Sequence, residues 1–136
     1  MNTELLKKIK EAILAEPRNF NMAMWILWDA DAPCGTTACI GGWAAVIANE
    51  LKDPGEQRAL QEGHQLGNRL TFENGTEALN LSKMEESRLC YDDNWPEPFR
   101  TRYSEASDRD DRQLMAQIAA ERIDYFIATD GSDHES

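Results

Sequence analysis

Three cysteines, two histidines and a pair of adjacent threonines hold most of the reactive chemistry in this 136-residue chain. The densest group is the turn Cys34-Gly35-Thr36-Thr37, which stands ahead of an uncharged, alanine- and glycine-rich run. If that run is a helix, its free backbone N–H groups point back at the turn, and such a terminus favours an anion or a thiolate. Cys34 would then have a lowered pKa, and Gly35 would let a ligand approach the backbone. Cys34, Gly35, Thr36 and Thr37 are therefore the candidate ligand-binding residues. Trp95 joins them as the tryptophan expected to be partly exposed, because Pro96 and acidic residues flank it. Against this stands a purely structural reading, in which a threonine caps the helix and the cysteine is small buried filler, the commoner role of a free thiol.

Other chemistry is poorly supported. A cysteine nucleophile needs a nearby base, and the only histidines are His64 and His134. His134 falls in the last few residues, and His64 lies on the apolar side of a helical pattern beside Leu60. Cys34, Cys39, Cys90 and His64 make four soft metal ligands, but their spacing matches no zinc ribbon or finger. A Cys34–Cys39 disulfide fails if both lie on one helix, because five residues at ~1.5 Å rise overshoot the bridge geometry. Asp92, Asp93, Asn94 and Glu97 lack the ligand order and central glycine of a calcium loop and are expected to form a solvated turn. No catalytic residue, metal or cofactor is assigned.

The elements that must position these residues read as helical. Thr3 is the expected N-cap of a first helix carrying Leu5, Leu6, Ile9, Ala12 and Ile13, which ends at Pro17. Phe20, Met22, Trp25, Ile26 and Trp28 suggest a short second helix. A central helix, capped by Thr36 or Thr37, runs to about Leu51 with no charge before Glu50, so it should be buried nearly all round. Asp53-Pro54 opens a segment with Ala59, Leu60, His64, Leu66 and Leu70, and Asn74-Gly75 marks a turn. Ser82-Lys83-Met84-Glu85 is a capping box. Pro98 to Ala106 gives a short helix. Ser107 or Asp108 is expected to cap a last helix with Leu114, Met115, Ile118, Ile123, Phe126 and Ile127, stopped by Gly131. Residues 1–131 then form one all-α domain of five to seven helices around the buried helix at about 36–51, with 132–136 as a frayed tail. Trp25, Trp28 and Trp43 belong to its core.

The run Cys34-Gly35-Thr36-Thr37-Ala38-Cys39-Ile40-Gly41-Gly42-Trp43-Ala44 resembles the signature of a family of small, uncharacterised bacterial and bacteriophage proteins. Leu79 to Leu81, Ser82 to Glu86, Leu89 and Trp95-Pro96 are similar to its later marks, although Cys90 stands where that family has an aromatic residue. The resemblance implies a helical fold and a bacteriophage setting, and no mechanism.

Composition narrows the function. The 14 basic and 25 acidic residues give a net charge of −11 and a pI near 4.5. Phosphate-backbone binding runs on Lys and Arg, so direct nucleic-acid binding is not expected. Leu, Ile, Val and Phe are scarce for a folded chain of this charge, but four Trp, five Met and three Tyr supply the missing apolar area. A single valine argues for helix over strand. No run is apolar enough to span a bilayer, and three cysteines without an export signal suit a reducing cytoplasm. The expected function is that of a non-enzymatic cytoplasmic interaction protein, phage-encoded on the resemblance, that binds a basic host protein handling nucleic acid. A small-ligand or anion binder is the alternative, and a thiol enzyme the last.

Overall fold

The computed structural model describes residues 1–22, 26–28, 36–48 and 77–131. The Asp53–Leu70 segment, the Asn74-Gly75 turn, Cys34, Gly35, Trp25, His64 and the 132–136 tail with His134 lie outside the described residues. Among the described residues five α-helices dominate: α1 (Thr3–Ala15), α2 (Ile40–Ala48), α3 (Lys83–Cys90), α4 (Phe99–Asp108) and α5 (Arg112–Ala128). Two 3-10 turns, Pro17–Asn19 and Asp92–Asn94, follow α1 and α3. The fold class is all-α, with one small extended feature. β1 (Ile26–Trp28) pairs antiparallel with β2 (Thr36–Ala38), Ile26 opposite Ala38 and Trp28 opposite Thr36.

That pair corrects two expectations. Residues 26–28 form a strand and not a second helix, and Thr36 and Thr37 pair as strand and do not cap the helix after them. The physical reason is β-propensity: Ile, Trp and Thr favour a pleated surface, and each strand gives the other a hydrogen-bonding partner. A parallel bridge between Phe20 and Ala38 extends the contact. Asn21 N–H donates to the Ala38 carbonyl at 3.0 Å, which ties this corner to the chain leaving α1.

α1 buries Leu5, Leu6, Ile9 and Ile13, the stripe its spacing predicts. Its cap is Asn2 and not Thr3: the Asn2 side chain accepts from Leu5 N–H at 3.1 Å, while its own backbone N–H donates to Leu79 O at 2.7 Å. α5 packs on α1 and on α4, and α2 packs on α1 and touches α3. Pressed from two sides, α5 buries Ala116, Ala119 and Ala120 alongside Met115, Ile118, Ile123 and Phe126. Its cap is Asp111, which accepts from Leu114 N–H at 3.2 Å, and not Ser107 or Asp108, which end α4. α2 is buried from Ile40 to Val46, so the expectation of a helix buried nearly all round holds over that span. One apolar cluster runs from Leu5 to Phe126 and includes Trp43.

Candidate functional site

An anion site at the start of α2 would need free backbone N–H groups there. The helix begins at Ile40, and Cys39 takes the capping position. Its Sγ accepts from Gly42 N–H at 3.4 Å and its carbonyl accepts from Trp43 N–H at 2.9 Å. A thiol thus fills the role usually held by Ser, Thr, Asp or Asn. Burial pushes the Cys39 thiol up to about 11, and the backbone N–H groups around it only partly offset that cost. Burial raises Cys90 as well, and the neighbouring Cys39 adds to the shift. Both thiols stay protonated at neutral pH, which is the opposite of an activated nucleophile. Among the described residues, no group of three or more His, Cys, Asp or Glu is arranged to hold a metal ion.

Trp95 is not partly exposed. It is 1% exposed and its indole Nε1 donates to Leu89 O at 2.8 Å. The last carbonyls of α3 have no partner inside the helix, and side chains from elsewhere supply donors. Asn94 donates to Ser87 O at 3.1 Å, Arg122 to Arg88 O at 3.1 Å, and Trp95 to Leu89 O. Arg122 is fully buried, with its guanidinium 5.3 Å from the centre of the Phe126 ring. Trp95 also meets Tyr103 edge-on at 5.1 Å, and Tyr103 meets Phe20 at 6.3 Å. The Tyr103 hydroxyl accepts from Met22 N–H at 2.8 Å. Trp95 therefore joins the chain after α1 to the end of α3, as a structural member of the core. Of the other predicted site residues, Thr36 and Thr37 lie in β2, away from any helix cap.

A different place gathers unneutralised charge. A groove of about 420 Å³ runs between the 92–94 turn and α4, lined by Asp92, Asp93, Glu105 and Asp108 together with Arg100, Thr101, Ser104 and Ser107. Thr101, Ser104, Glu105 and Asp108 stand at i, i+3, i+4 and i+7, one face of a helix. None of the four carboxylates forms an ion pair among the described residues, whereas nearby cations are engaged elsewhere. Arg100 binds Glu97 at 3.0 Å, Arg102 binds Glu121 at 3.1 Å and Arg112 binds Asp110 at 2.7 Å. Burial first, and the adjacent Asp93 second, raise the pKa of the half-buried Asp92. A carboxylate whose ionisation is made costlier by burial and by a neighbouring acid is relieved by an incoming cation.

No known protein family, curated protein or solved structure matches this chain. From the sequence alone, Asp92-Asp93 reads as part of a solvated turn. The i, i+3, i+4, i+7 pattern in α4 was available as a signal. The turn that folds against it was not, because that contact depends on Trp95 and Asn94 capping α3.

Proposed function

We propose that this chain is a non-enzymatic interaction protein whose acidic groove between the 92–94 turn and α4 receives basic side chains of a protein partner. The observation that carries the reading is the convergence of Asp92, Asp93, Glu105 and Asp108 on one groove whose lining cation, Arg100, is already paired with Glu97. A net charge of −11 supports it, since complementary fields speed encounter and suppress wrong partners. Arginine fits such a groove better than lysine, because a planar guanidinium can bind carboxylates bidentately and reach hydroxyls such as Thr101 and Ser104 at the same time. The resemblance of the Cys34–Ala44 run adds a bacterial cytoplasm and a phage-encoded origin to the proposal, with a basic nucleic-acid-handling host protein as the partner. Among the described residues, the buried and protonated Cys39 and Cys90 do not suit thiol catalysis.

The test is a pair of charge-reversed variants with equal net charge. One carries Asp93→Lys, Glu105→Lys and Asp108→Lys in the groove; the other carries Glu4→Lys, Glu11→Lys and Glu77→Lys. All six positions are exposed. Immobilised wild-type protein should retain a basic protein from bacterial lysate at low salt and release it as salt rises, because exposed charges are screened. The groove variant should lose that protein and the distal variant should keep it. Equal loss in both would mean that bulk charge alone, and no groove, governs the binding.

A further inference from the structure

We draw no further inference here: the strongest candidate, the groove of about 780 Å³ between the end of α1 and the start of α5, is lined by Arg18 and Arg112 against Glu16 and Asp110, and with those charges balanced nothing in the structure shows what covers it.

Discussion

At the scale of single residues, Cys39 and Trp95 show how chemistry suggested by residue type is absorbed by backbone needs. Cys39 spends its sulfur on the Gly42 N–H, and this has a consequence for pH. The unfolded thiol ionises near 9.0 and the folded one near 11. Between those values the native chain holds the extra proton, so stability is complete below pH 9 and falls as pH rises toward 11. Full ionisation of the unfolded chain removes ~3 kcal/mol, and the raised Cys90 and Tyr103 act with the same sign. Cys39→Ser keeps an acceptor but does not ionise in this window. Its melting temperature should fall less than that of the wild type between pH 8 and pH 10.5, and parallel falls would show that Cys39 does not contribute. Trp95 has a second test. Trp95→Phe keeps most of the ring burial but leaves Leu89 O without its donor, which costs ~1–3 kcal/mol in denaturant unfolding. A neutral result would show that the bond to Leu89 O does not contribute to stability. Neither role was legible locally: Trp95 has polar neighbours in sequence, and its burial comes from a turn folding back on α3.

At the scale of elements, periodic apolar spacing made α1, α4 and α5 legible, and the Ser-x-x-Glu pattern placed the start of α3. Ser82 Oγ accepts from Glu85 N–H at 3.2 Å, and the Glu85 carboxylate accepts from Ser82 N–H at 2.9 Å. Caps were displaced where a neighbouring residue could also accept a bond: Asn2 replaced Thr3, and Asp111 replaced Asp108. The start of α2 moved from 36 to 40 because strand pairing, a tertiary effect, won Thr36 and Thr37 from the helix. The end of α5 couples two elements. Gly131 N–H donates to Phe126 O at 2.8 Å and Asp130 N–H to Ile127 O at 3.1 Å, closing the helix as a Schellman motif. Gly131 has φ +76°, and a Cβ there would run into the Glu85 carboxylate that completes the α3 box. Gly131→Ala should therefore cost ~1–2 kcal/mol from the left-handed backbone alone, with further loss as Glu85 is pushed aside. Ser82→Ala should cost ~1 kcal/mol. Because both changes spend the same Glu85 contact, the double variant should lose less than the sum, by ~0.5 kcal/mol or more. Strict additivity would deny the coupling.

At the scale of the whole molecule, composition foresaw an acidic helical protein, and the structure shows where charge is left unneutralised. Surface pairs such as Lys10–Asp124 at 2.8 Å occupy cations on the α1–α5 side, while the acids of the 92–94 turn and α4 form no ion pair among the described residues. Among the described residues no helix is long and apolar enough to cross a membrane. The apolar cluster from Leu5 to Phe126 should hold the fold without a metal. The melting temperature should then be unchanged by a chelator, and a marked drop would show that the soft ligands outside the described residues matter. Backbone-resolved NMR reads the groove residue by residue. Isotope-labelled protein is titrated with a short arginine-rich peptide at low salt, with a glutamate-rich peptide of equal length as the control. Saturable shifts should concentrate at residues 92–94 and 101–108, fade as salt rises and be absent with the control. Shifts spread evenly over every exposed carboxylate, or centred on another face, would contradict binding in the groove.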